Sequence, residues 1–139
     1  MATVELSFTP LPAHVRTARL VATAVARRSG VDESLLDVVR LAVGEACSRA
    51  VEGHQLHCPA EPVRLALTDT AGRFEVEVTD NCAPGARKLP GLDGKGEGSS
   101  IPAGLGIAVI TGLADDVEIS ETSAGTSIRM SWPSAGAVR

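Results

Sequence analysis

The stretch Val63-Arg64-Leu65-Ala66-Leu67-Thr68-Asp69-Thr70-Ala71-Gly72-Arg73-Phe74-Glu75-Val76-Glu77-Val78 decides the fold. Val63, Leu65 and Leu67 alternate with polar or small residues, and Phe74, Val76 and Val78 do so again after Thr70-Ala71-Gly72. Period two on both sides of a short glycine-containing turn predicts a β-hairpin with one buried face. So short a connection cannot cross over to make a parallel pair, so the sheet is expected to be antiparallel or mixed and mostly antiparallel.

Upstream of the hairpin, Gly53 to Pro62 reads as a loop, and before it Leu35, Val39, Ala42, Ala46 and Ala50 recur at spacings of three and four. That period predicts a helix running to about Val51, with Asp32 as its N-cap. An earlier helix carries Leu11, Val15, Ala18, Ala22 and Val25 between the prolines at 10 and 12 and the pair Ser29-Gly30. Proline suits the first helical turn and glycine the residue just past the last. Val4, Leu6 and Phe8 alternate before it as a first strand.

Downstream, residues 82–106 hold seven of the chain's 14 glycines and three prolines, which excludes a regular element. A loop that long in a compact domain is expected to be a lid or binding loop. A short helix from about Leu105 to Leu113 should follow, then strands at Val117–Glu121 and Thr126–Trp132 around Ser123-Ala124-Gly125, with the tail after Pro133 frayed. Strand, helix, helix, hairpin, loop, helix, hairpin is the order of an α+β two-layer sandwich, with the helices on one face of the sheet. Residues 1–133 read as one domain.

The chain has 139 residues, 44% hydrophobic, with 13 basic against 17 acidic residues and a net charge of -4. It is long enough to bury a core. An acidic balance with only Phe8, Phe74 and Trp132 as aromatic residues argues against nucleic acid as a partner. Charged residues interrupt the first 20 positions, so neither a signal peptide nor a membrane span is expected there, and the simplest location is the cytoplasm. Cys47, Cys58 and Cys82 are odd in number and lack paired spacing, so reduced thiols are expected. His54, His57 and Cys58 offer metal-ligating atoms, but a fourth ligand is not apparent and no metal site is assigned.

Four segments carry candidate chemistry: Glu45-Ala46-Cys47-Ser48-Arg49-Ala50, Asp80-Asn81-Cys82-Ala83-Pro84-Gly85, Gly104-Leu105-Gly106, and Gly125-Thr126-Ser127. Taken in this order they resemble the ATPase superfamily shared by gyrase, heat-shock chaperone, histidine kinase and MutL. Within it they are similar to the small anti-sigma factor serine kinases of bacterial partner switching, including the actinomycete type paired with the antagonist BldG. Leu41-Ala42-Val43-Gly44-Glu45-Ala46 looks like the family's first box, and Gly104-Leu105-Gly106-Ile107 through Ile119 like its glycine box and following strand.

The resemblance implies Glu45 as general base, and one turn later an Asn that holds magnesium against the ATP phosphates. Here that position is Arg49, which has donors only and cannot ligate a cation. Three readings stay open for it. Arg49 and Glu45 form an ordinary surface ion pair, or in a partly closed pocket the same pair fills the metal's place, or the guanidinium grips phosphate directly. The resemblance further implies Asp80 as acceptor of the adenine amino group, Gly85 and Thr126 beside it, and Gly104 and Gly106 at the phosphates. The family glycine two residues after the Asp is Cys82 here, and the bland reading of Asp80-Asn81 is a turn ending a strand. Arg87, Lys88 and Lys95 lie in the glycine-rich segment, where phosphate contact and solvation are both open.

The expected function is an anti-sigma factor-like regulator with a degenerate ATP site, binding a sigma factor, an anti-anti-sigma (STAS-type) antagonist, or both. The alternative is an active ATP-dependent serine kinase acting on that antagonist, and a third reading is a sensor for another small ligand. Arg16 and Arg19, on the first helix, face either a partner or solvent. A homodimer is expected, with the strand Val4 to Phe8 as one candidate edge.

Overall fold

The computed structural model describes residues 2–70, 72–82, 109–122 and 125–135, without the side chains of Ala2 and Thr122. The elements run β1 (Ala2–Phe8), α1 (Pro12–Arg28), α2 (Glu33–His57), β2 (Val63–Thr70), β3 (Arg73–Thr79), β4 (Asp116–Thr122) and β5 (Gly125–Pro133). Residues 109–113 form a helical turn before β4. The glycine-rich segment, with Gly85, Arg87, Lys88, Lys95, Gly104 and Gly106, lies largely outside the described residues.

The five strands form one sheet in the order β1-β2-β3-β5-β4, and every pairing is antiparallel. The hairpin register sets Leu65 opposite Val78 and Leu67 opposite Val76, so the apolar positions of both strands share one face. Phe74 and Trp132, also in register, stack with ring centroids 6.3 Å apart. Trp132 donates its indole N–H to the Leu113 carbonyl at 3.1 Å, which ties the helical turn to the sheet. On the opposite face Arg129 reaches Glu75 at 3.0 Å, Glu118 at 3.5 Å and Glu77 at 3.8 Å. A charged outer face leaves the other one for the helices, as the sequence pattern predicts.

Pro12 opens α1 at its first turn. At the other end Gly30, at φ 87°, donates to the Arg27 carbonyl, and the buried Val31 donates to the Ala26 carbonyl. That is the Schellman arrangement, and its left-handed residue is the predicted glycine. Asp32 caps α2 by accepting from the Ser34 amide at 3.0 Å.

α2 lies against both α1 and the sheet, so it buries a broad surface instead of one stripe: Leu36, Val39, Ala42, Val43, Ala46, Cys47 and Ala50 are all buried. Leu35, expected in the core, is half-buried, and Leu36 takes that place. The helix also outruns its expected end at Val51 by a turn and a half, reaching His57. Much of the expected loop from Gly53 is therefore helical. The extra turns are held by His54, which is fully buried and bonds residues beyond the helix. Past Pro133, Ser134 donates to the Gly72 carbonyl and Ala135 to that of Gly30.

Candidate functional site

α2 and the adjoining ends of β3 and β5 bring three predicted site residues together. Arg49, Asp80 and Thr126 line one small cavity with Ala46, Ala50, Val78 and Ile128. Its volume is about 10 Å³, roughly room for one water. Arg49 is the long side chain facing this space. Burial disfavours its cation, and the charges of Glu45 and Glu52, one turn away on either side, favour it. Glu45 does not line the cavity and acts on it through Arg49's charge.

Asp80 is 4% exposed and closes β3. Its Oδ1 accepts from the Cys82 amide at 3.2 Å and, more weakly, from the Thr126 amide at 3.4 Å, while its own amide donates to the Thr126 carbonyl at 2.8 Å. The strand-ending turn and the predicted site residue are thus the same carboxylate. Gly125, at φ 150°, passes directly over Asp80, and a Cβ there would run into the Asp80 carbonyl oxygen. Only glycine meets both conditions.

Asn81 is fixed on both sides. Its amide donates to His54 Nε2 at 3.0 Å, and its Nδ2 donates to the Pro62 carbonyl at 2.6 Å. An amide N–H only donates, so His54 Nε2 is the acceptor and Nδ1–H donates to the Glu61 carbonyl at 2.8 Å.

The expectation of three reduced thiols is overturned: Cys58 and Cys82 are joined as a disulfide, with Cα atoms 5.9 Å apart, and only Cys47 is free. The pairing spans 24 residues and depends on the end of α2 meeting the end of β3, so no local spacing announces it. The grouping of His54, His57 and Cys58, to which the sequence assigns no metal site, is also rearranged. Cys82 joins His54 and Cys58, with all three ligating atoms within 4.8 Å of one another, and the exposed His57 stays outside. The one signal that reasoning from the sequence passed over is the i, i+4 spacing of His54 and Cys58, which puts them on one face if the helix continues.

Cys47 is buried, and burial pushes its thiol up to about 12, with the Arg19 charge opposing. A folded-state value above the ordinary one stabilises the fold below pH 9 and is lost as pH rises toward 12. At pH 10 the protein is expected to lose about 1 kcal/mol of stability relative to pH 8 through this group. Cys47→Ala should remove that loss, which urea titrations at both pH values would measure. With no tyrosine in the chain, few other groups titrate in this range.

On the far side of α2, Arg19 lies across Gly44, where a Cβ would meet its guanidinium. A groove of about 500 Å³ runs there between α1 and α2, lined by Arg16, Arg19, Ser48, Val51, Glu52 and Gln55 among others. A neighbouring hollow of about 400 Å³ adds Leu20, Arg40 and Leu41. Leu20 and Leu41 are 64% and 56% exposed. Among the described residues no helix is long and apolar enough to cross a membrane.

Residues 8–132 match the sequence family described as the histidine kinase-like ATPase domain. No curated protein matches the chain. Among solved structures, the RsbU and RsbW domains of Rv1364c from Mycobacterium tuberculosis share the fold with a TM-score of 0.68 at 18% identity. The alignment covers 99% of this chain and 34% of that one, so this chain spans about a third of its length. The mycobacterial sensor histidine kinase MprB is similar with a TM-score of 0.51 at 16% identity, covering 97% of this chain and 99% of that one.

Proposed function

The chain belongs to the histidine kinase-like ATPase domain family, and from that premise we propose that it is an anti-sigma factor-like regulator of a partner-switching system. It works by holding a sigma factor or an anti-anti-sigma antagonist, and its nucleotide site is degenerate. Arg49 carries this reading. A guanidinium has no lone pair to offer magnesium, and the resemblance puts Arg49 at the position of the family's metal ligand; its side chain lines the small cavity beside Asp80. Asp80 Oδ1 is already engaged by two amides, those of Cys82 and Thr126. Magnesium does not fit this donor set, because Arg49 offers hydrogen-bond donors only.

The likeness of fold to a chain that carries RsbU and RsbW domains supports partner switching. So does the α1–α2 surface, where Arg16, Arg19 and Arg40 flank the exposed Leu20 and Leu41. Cations around apolar anchors suit an acidic, amphipathic segment of a partner protein.

A second reading, the active serine kinase, rests on Asp80, which keeps its place beside Thr126 at the end of β3. Calorimetric titration with ATP and ADP, with and without magnesium, separates the two. The regulator reading expects no magnesium-dependent gain in affinity for the natural protein, and at least about a tenfold gain for Arg49→Asn. Magnesium-dependent tight binding by the natural protein, or phosphate transfer from ATP to a purified antagonist, would restore the kinase.

A further inference from the structure

We propose that Cys58 and Cys82 are a redox switch: a reversible disulfide that clamps residues 80–82 onto the C-terminal end of α2 when oxidised and releases them when reduced. Cys58 is the C-cap of α2, and Cys82 follows two residues after Asp80. The bridge therefore ties the end of the helix bearing Arg49 to the turn bearing Asp80. It acts on Asp80 at one remove, because the amide that Asp80 Oδ1 accepts belongs to Cys82.

Three observations favour a reversible bond over a permanent brace. Cys58 is half-buried while Cys82 is 3% exposed, so an incoming thiolate has one sulfur to attack. His54 sets a ring nitrogen within 4.8 Å of both sulfurs, so the bridge borders a polar group instead of lying in the wholly apolar surroundings that leave a thiol inert. Cys47 is buried and held as a thiol, so it does not compete for the bridge.

The reductant is a dithiol. Its thiolate attacks Cys58 Sγ, the Cys58–Cys82 bond breaks, and Cys82 leaves as a thiolate that takes up a proton. The second reductant thiol then displaces Cys58 from the mixed disulfide, leaving two protein thiols and an oxidised, cyclic reductant. Two electrons and two protons enter the protein, and oxidised glutathione reverses the change by exchange through its own disulfide.

After reduction, residues 80–82 keep the Asn81 bonds to His54 and Pro62 and the pairing of Asp80 with Thr126. The segment stays folded but opens more often. The test equilibrates the whole protein in glutathione buffers of graded redox ratio, counts thiols under denaturing conditions and follows amide exchange at residues 80–82 and 126. Nucleotide is left out, so the result is independent of the ATP titration. The expected outcome is one thiol and a linked Cys58–Cys82 peptide when oxidised, three thiols when reduced, and exchange at Asn81 and Cys82 about tenfold or more faster in the reduced form. Cys58→Ser and Cys82→Ser should each show the fast exchange at every redox ratio. Equal exchange in both forms would make the bridge a static brace and overturn the switch. Three thiols at every ratio, or zinc retained on Cys58 and Cys82 with no linked peptide, would overturn it as well.

Discussion

His54→Ala is expected to destabilise the protein by about 4 kcal/mol, a core-type loss from a polar residue. The ring is fully buried, so its removal leaves a cavity. It also leaves the Asn81 amide and the Glu61 carbonyl without their partners at 3.0 and 2.8 Å. Glu61 is exposed and its carbonyl finds water, so most of the polar cost falls on Asn81. His54→Gln keeps a donor and an acceptor on a shorter side chain and should recover about half of the loss. Urea denaturation measures both. A loss under about 1 kcal/mol for the alanine variant would mean that the final turns of α2 are held by something else.

Gly125→Ala should cost about 3 kcal/mol, roughly a 10 °C drop in melting temperature for a chain of this size. The new methyl group meets the Asp80 carbonyl oxygen, a backbone atom that cannot rotate away, and φ 150° is itself unfavourable for an L-residue. Relief requires the start of β5 to move off the end of β3. That breaks the bond from the Asp80 amide to the Thr126 carbonyl at 2.8 Å. Faster amide exchange at Asp80, with little change in the Phe74–Trp132 region, is the expected signature. An unchanged melting temperature would contradict the close approach. Because His54 and Gly125 both act on residues 80–82, the double variant should lose less than the sum of the two single losses.

The hairpin and both helices were legible because their signals are local. Period two in β2 and β3, period 3.6 in α1 and α2, Gly30 past the end of α1 and Asp32 before α2 depend on neighbours within a few residues, and the structure carries each of them. The end of α2 was not legible. Gly53 looks like a helix stop, but the turn beyond it is secured by partners 7 and 27 positions from His54. Leu35 and Leu36 exchanged roles for a related reason, since a helix packed against both α1 and the sheet buries more than one stripe.

The candidate site divides the same way. That Arg49 cannot hold a cation follows from its side-chain chemistry, and the strand-end place of Asp80 follows from the alternation before it. That Arg49, Asp80 and Thr126 share a cavity of about 10 Å³ depends on α2 lying over the ends of β3 and β5. The Cys58–Cys82 bond has the same origin, as has the service of one Asp80 oxygen to both a turn and a neighbouring strand. Composition and periodicity, by themselves, determined most of the elements, their order and a mostly antiparallel sheet, because backbone preference and side-chain chemistry act over one or two turns of chain. Only the tertiary structure decided which distant residues touch, because those contacts form where packed elements meet, and sequence spacing carries no record of that meeting.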